Sequence, residues 1–153
     1  MSFWDSSAII PLVATQEMTS RADELYRSEK SGIIVWWGTY TECVSALSRL
    51  ERMSELTSAE VEKALAAVRE ISKSWNVILP SNQVREKANR LLRVHPLRTG
   101  DAFQLASAIV ASEDSTSSLA LTTFDERLAT AARKEGFPVI AVENPCQPPL
   151  SHF

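Results

Sequence analysis

Cysteine and histidine are scarce in this 153-residue chain, with two of each, and that scarcity removes whole classes of chemistry. Cys43 and Cys146 offer neither metal-ligand spacing nor a disulfide framework. Cys43 falls on the apolar face of a helical pattern and reads as a small core residue, while Cys146 carries no assignment. His95 and His152 stand isolated, which leaves no basis for a histidine-rich metal site or a serine–histidine triad. Excess basic charge is missing too. Sixteen Lys and Arg against 19 Asp and Glu give a net charge of −3, unlike a protein that coats nucleic acid through a basic surface. A nuclease stays open, because an acidic pocket filled by divalent cations presents itself to phosphate as a positive site. No apolar run approaches the roughly 20 residues of a membrane span. The opening Met-Ser-Phe-Trp-Asp lacks the basic and apolar regions of a signal peptide, so a cytoplasmic location is the expectation.

The chain has 44% hydrophobic and 23% charged residues, ordinary for a globular protein. It is long enough for a single core, expected over residues 1–143, with a proline-rich tail at 144–153. The stretch Leu119 to Phe137 organises the rest. Leu119, Ala120 and Leu121 have strand character, ending at Thr122 and Thr123. A helix follows with Leu128, Ala129, Ala131 and Ala132 on one side, stopped by Gly136. Phe137 to Val142 is a second apolar strand, completing a βαβ unit with Asp125 at the rim where ligands of parallel sheets bind.

From the N-terminus, a short strand ends at Asp5. A short helix then covers Ala8 to Val13, with Pro11 expected only near its start or a turn. Gln16 to Lys30 is a helix with Ala22, Leu25 and Tyr26 inward, and Ile33 to Trp37 a buried strand. A helix from Thr39 to Met53 buries Cys43, Ala46, Leu47 and Leu50 and carries Glu42 in its first turn. Thr57 to Trp75 is a further helix, opened by a Thr57–Glu60 capping box. Val77 to Leu79 is a short strand. The next helix runs to Val94, burying Val84, Ala88, Leu91 and Leu92, with Arg85, Arg90 and Arg93 on a solvated face. Asp101 heads a helix, Ala102 to Ala111, that is apolar nearly all round, which places its carboxylate at least partly inside.

The order β-α-α-β-α-α-β-α-α-β-α-β specifies an α/β three-layer sandwich, a mostly parallel sheet flanked by helices. Asp5, Glu42 and Asp125 follow strands and Asp101 opens the buried helix, so parallel neighbours bring all four to one edge. Each acid alone is also explained as a helix cap: Thr39 with Glu42 and Thr123 with Glu126 have capping-box spacing. Together they are harder to explain that way. Two charges ~4 Å apart repel by about 4 kcal/mol at an effective dielectric near 20. Such a cluster needs protons or cations, and oxygen ligands without imidazole or thiol suit Mg²⁺ or Mn²⁺. Those ions activate water and stabilise charge on a phosphodiester in flight, which indicates metal-assisted hydrolysis of nucleic acid.

Asp5-Ser6-Ser7-Ala8, TECVSALSRL around Glu42, RTGDAFQLASA around Asp101 and LTTFDERLATAA around Asp125 resemble, in that order, the PIN-domain pattern. Within that family the chain is most similar to the VapC-type toxins of toxin–antitoxin pairs, over nearly its whole length. The resemblance implies a PIN-like fold and a Mg²⁺- or Mn²⁺-dependent endoribonuclease, often a homodimer, held inactive by a small antitoxin. Carried onto this chain, it makes Asp5, Glu42, Asp101 and Asp125 the acidic site, with Ser7 and Thr123 as supporting hydroxyls. Asp5 and Asp101 become the main metal ligands, Asp125 acts through water or a second metal, and Glu42 orients a water. Dimer contacts fall on Met53 to Trp75.

Two other readings compete. A phospho-acceptor receiver domain wants adjacent acids after the first strand and a lysine after a late one, whereas serines follow Asp5 and Thr122-Thr123-Phe124 closes the late strand. A catalytically silent PIN-like module that binds RNA or protein is the alternative, disfavoured by retention of all four acids. Arg98 and Arg127, near Asp101 and Asp125 in sequence, are candidates for phosphate contact.

Overall fold

Phe3 and Trp4 are consecutive residues of the first strand, both fully buried, and they pack into opposite cores. Side chains alternate across a strand, so burial of both neighbours means that helices cover the sheet on both faces. The computed structural model describes residues 1–15 and 19–141. Residues 16–18 of the expected second helix, the last residue of the expected final strand, the tail at 144–153, Cys146 and His152 lie outside the described residues.

The elements follow the expected order: β1 (Phe3–Trp4), α1 (Ser6–Val13), α2 (Thr19–Ser28), β2 (Ile34–Trp36), α3 (Thr39–Arg52) and α4 (Ser58–Ser72). After them come β3 (Asn76–Ile78), α5 (Asn82–Val94), α6 (Thr99–Ala111), β4 (Leu121–Thr123), α7 (Glu126–Lys134) and β5 (Val139–Ala141). The five strands pair in parallel in the order β3-β2-β1-β4-β5. One core joins Trp4 to Ile9, Val35, Cys43, Leu47 and Val68, on the side of α1, α3 and α4. The other joins Phe3 to Leu91, Leu105, Leu121 and Leu128, on the side of α5, α6 and α7. No helix among the described residues is long and apolar enough to cross a membrane.

The chain moves one way from β1, to β2 and β3, and then crosses to the far side for β4 and β5. The reversal falls between β1 and β4, and such a switch point leaves a crevice outside the carboxyl ends of the strands. Asp5 follows β1 and Asp125 follows β4, so both sit at that crevice.

Several boundaries differ from the sequence pattern for identifiable reasons. Thr122 and Thr123 lie inside β4, where Thr122 pairs with Trp4, because β-branched threonine suits a buried strand as well as a turn. Pro11 is the sixth residue of the eight-residue α1, well past its start. Lacking an N–H, it cannot bond the Ser7 carbonyl four residues back. Trp37 falls just beyond β2 and is 59% exposed; Leu79, just beyond β3, is 65% exposed, and Val77 is exposed within β3, an edge strand. Leu92, expected on the buried side of α5, is 38% exposed. Gly136 has φ +95°, the left-handed residue just past the end of α7.

Candidate active site

Asp5, Glu42, Asp101 and Asp125 all line one pocket of about 310 Å³, together with Ser6, Ser7 and Gln104. They are delivered by the end of β1, the first turn of α3, the first turn of α6 and the end of β4. None of the four forms an ion pair among the described residues.

The side of the pocket at the switch point is built by hydroxyls. Ser7 Oγ donates to Asp5 Oδ1 at 2.8 Å and accepts from the Phe124 N–H at 2.9 Å. Thr123 Oγ1 lies 3.2 Å from Ser7 Oγ and accepts from the Asp125 N–H at 3.0 Å. The result is a network of hydroxyls between the Asp125 backbone and the Asp5 carboxylate, lacing α1 to the end of β4. Ser7 and Thr123 thus occupy the supporting positions expected of them.

Asp5 stands at the N-cap position of α1 and is 4% exposed. Burial pushes its pKa up from 3.8 to about 7. Hydrogen bonds from Ser7 and Thr123 oppose that rise, and the Asp125 charge adds to it. Glu42 is raised by burial against hydrogen bonds from Gln104 and Ser6, with the Asp101 charge pushing further up. Asp101 is raised by burial and by Asp125, against the Arg98 N–H and the charges of Arg98 and Arg127. The same burial, with Glu42 and Asp5 nearby, lifts the Cys43 thiol to about 12, the neutral core residue anticipated for it.

Capping explains Asp125 in part and Glu42 not at all. Asp125 is itself the N-cap of α7, its Oδ1 accepting from the N–H groups of Arg127 and Leu128 at 2.9 and 3.1 Å. That cap fixes one oxygen and leaves Oδ2 without a donor among the described residues. Asp101 Oδ2 accepts from the Arg98 N–H at 3.3 Å, because α6 begins at Thr99 rather than at Ala102. The Thr39–Glu42 box is absent: Thr39 and Glu42 both accept from Gln104 Nε2. Gly100 closes the wall beside Glu42, where a Cβ would stand 2.9 Å from Oε1.

Gln104 is the participant that sequence reasoning missed. It is 2% exposed, fixes Glu42, and keeps its own Oε1 unpartnered. The available signal was an amide inside the apolar run AFQLASA, three residues after Asp101 and so on the same helix face.

The donors suit a hard divalent cation: carboxylate oxygens without an ion pair among the described residues, with Asp5, Glu42 and Asp101 raised by burial and by a neighbouring acid. No three metal-binding side chains among the described residues stand close enough to enclose an ion by themselves. Mg²⁺ does not require that, since it keeps several waters and takes one or two carboxylates. The residues fit the ion as a partial shell.

The sequence profile of the PIN domain matches residues 3–134. The chain is 29% identical over 137 residues to proteins of Mycobacterium tuberculosis named ribonuclease VapC45 and ribonuclease VapC49, covering 88% of this chain and 90% of each relative. Among solved structures, a toxin–antitoxin complex from Klebsiella pneumoniae superposes with TM-score 0.64 at 18% identity, over 92% of this chain and 96% of that one. The M. tuberculosis toxin VapC20, described as cleaving the sarcin–ricin loop, superposes with TM-score 0.63 at 17% identity, over 90% of this chain and 96% of that one. The parallel order of the sheet, the acids gathered at its switch point and a profile match from Phe3 to Lys134 lead to one assignment: this chain belongs to the PIN domain family.

Proposed function

We propose that the chain is a Mg²⁺- or Mn²⁺-dependent endoribonuclease, the toxin of a toxin–antitoxin pair, hydrolysing RNA phosphodiesters at the Asp5–Glu42–Asp101–Asp125 pocket. The observation that carries the proposal is the convergence of four unpaired carboxylates from four separate elements on one pocket. The similarity to VapC ribonucleases and the fold shared with toxins supply the substrate class and the antitoxin partner.

Asp5 and Asp101 would hold the cation, with Asp125 acting through water or a second ion. When bound, the cation supplies Lewis acidity toward the phosphate and a nucleophilic water at neutral pH. Ser7 keeps Asp5 from rotating, the Arg98 N–H does the same for Asp101, and the helix cap does so for Asp125. Gln104 Nε2 holds one Glu42 oxygen, so the carboxylate can orient the attacking water and take its proton. The raised pKa of Glu42 improves it as that base. RNA as substrate and an intracellular antitoxin as partner set the work in the cytoplasm. A homodimer joined through Met53 to Trp75, the stretch that holds α4, belongs to the same reading, and Met53 is 58% exposed.

Purified protein with Mg²⁺ or Mn²⁺ is expected to cut single-stranded or looped RNA. Asp5→Asn and Asp101→Asn each abolish cutting while circular dichroism stays unchanged. Undiminished cleavage by both variants contradicts the site. A folded wild type that binds cellular RNA and cuts none favours the silent module instead.

A further inference from the structure

We propose that a second cavity, beside the acid pocket, seats an RNA phosphate flanking the one that is cut, gripped by Arg98 and Arg127. The inference rests on the ribonuclease reading and deepens it by naming where the strand continues.

The cavity has a volume of about 460 Å³ and is lined by Arg98, Asp101, Asp125, Glu126 and Arg127. Asp101 and Asp125 also wall the acid pocket, so the two spaces meet at those carboxylates. A strand with its scissile phosphate in one space has a neighbouring phosphate within reach of the other.

The placement of the arginines is electrostatically odd for a fold that asks nothing of them. Arg98 is the N-cap residue of the 13-residue α6, and Arg127 is the second residue of the nine-residue α7. Helix N-termini carry the positive end of the macrodipole, and cations are favoured at the other end. Both side chains are exposed, and neither forms an ion pair among the described residues, although both lower the pKa of Asp101 through space. Two guanidinium groups without an ion pair among the described residues, lining one cavity, present charge-assisted donors to a phosphate.

Three carboxylates line the same space, so the charge of the lining is −1 with two arginines. A divalent cation held at Asp101, on the wall the two spaces share, turns that to +1. The subsite is therefore expected to hold phosphate only when the acid pocket is loaded, coupling strand binding to metal binding.

Fluorescence anisotropy of a labelled single-stranded RNA, measured with Mg²⁺ in a Glu42→Gln background that binds without cutting, tests the inference. Arg98→Ala and Arg127→Ala are each expected to weaken binding ~10-fold, in line with loss of one charge-assisted contact. Each also flattens the dependence of log K on log salt by about 0.7. Lys at either position restores the salt slope and only part of the affinity, since it lacks the planar fork. Omitting Mg²⁺ removes the difference between the Arg and Ala forms. Neither residue is buried and the Arg98 cap bond comes from the backbone, so folding is not in question. Affinity and slope that stay put in both alanine variants, with RNA still bound, overturn the subsite and leave the ribonuclease reading intact. Absence of both binding and cutting in wild type overturns that reading, and the subsite with it.

Discussion

Glu135 and Asp5 are acids of one chain treated in opposite ways. Glu135 ends α7, and its two oxygens meet Arg90 Nη2 and His95 Nε2, the latter at 3.1 Å, which ties the ends of α5 and α7 together. Partial burial alone would raise its pKa, but hydrogen bonds and charges from Arg90 and His95 carry it below the usual carboxylate value. Asp5 is more deeply buried, receives hydroxyls rather than cations, and is pushed up to about 7. Glu135 is paired directly with an arginine and a histidine, whereas none of the four acids sharing the pocket forms an ion pair among the described residues, although Arg98 and Arg127 ease Asp101 through space. In the proposed function the cluster without ion pairs is the working site, and the paired acid is a structural tie.

Exchanging the charge in each place should separate the two roles most sharply. Asp5→Asn is expected to lower the cleavage rate by more than ~100-fold with Tm unchanged or higher, because the amide removes a buried charge and its repulsion from Asp125. Glu135→Gln should do the reverse, retaining cleavage while thermal unfolding shows a loss of about 1–2 kcal/mol from the weakened tie. Matched effects of the two substitutions on both readouts would erase the distinction.

Gly100→Ala separates geometry from stability within the pocket. Gly100 lies in the first turn of α6, where alanine gains up to ~1 kcal/mol of helix propensity. Its Cβ would press on Glu42 Oε1 at 2.9 Å. Cleavage is expected to slow roughly 10-fold, the loss attached to a displaced catalytic group, while Tm holds or rises. Wild-type rates in this variant would free Glu42 from its assigned position.

The smallest effect is on stability as pH changes in chelator. Asp5 binds its proton more tightly in the folded chain, with a pKa of about 7 against 3.8. Between those values the folded state carries more protons, so stability falls as pH rises, a contribution intact below 3.8 and lost by about 7. Glu42 and Asp101 act in the same direction. Glu135 acts oppositely, its stabilisation present above 4.5 and lost as pH falls through its lowered pKa. Tm profiles of wild type and Asp5→Asn should diverge from about pH 4 upward, and coincident profiles would place the Asp5 pKa near its ordinary value.

Much of this was legible in the residues because short apolar runs and helical periodicity report burial directly. The element order and the arrival of Asp5, Glu42, Asp101 and Asp125 at one rim follow from a parallel α/β order alone. What escaped was set by contacts distant in sequence. Gln104 looks like one polar residue in an apolar helix until Glu42, 62 positions away, is placed against it. Thr122 and Thr123 read equally as strand or turn until pairing with β1 decides. Val77 and Leu79 have buried-strand composition, and their exposure follows from the place of β3 at the edge of the sheet.

The most direct test is calorimetric titration of chelator-treated protein with Mn²⁺ near pH 6.5, in two buffers of different ionisation enthalpy. Wild type is expected to bind the ion and release a proton as Asp5 ionises, whereas Asp5→Asn binds more weakly and releases none. Absence of binding by wild type, or the same affinity and proton release in both proteins, would contradict a pocket that depends on a divalent cation.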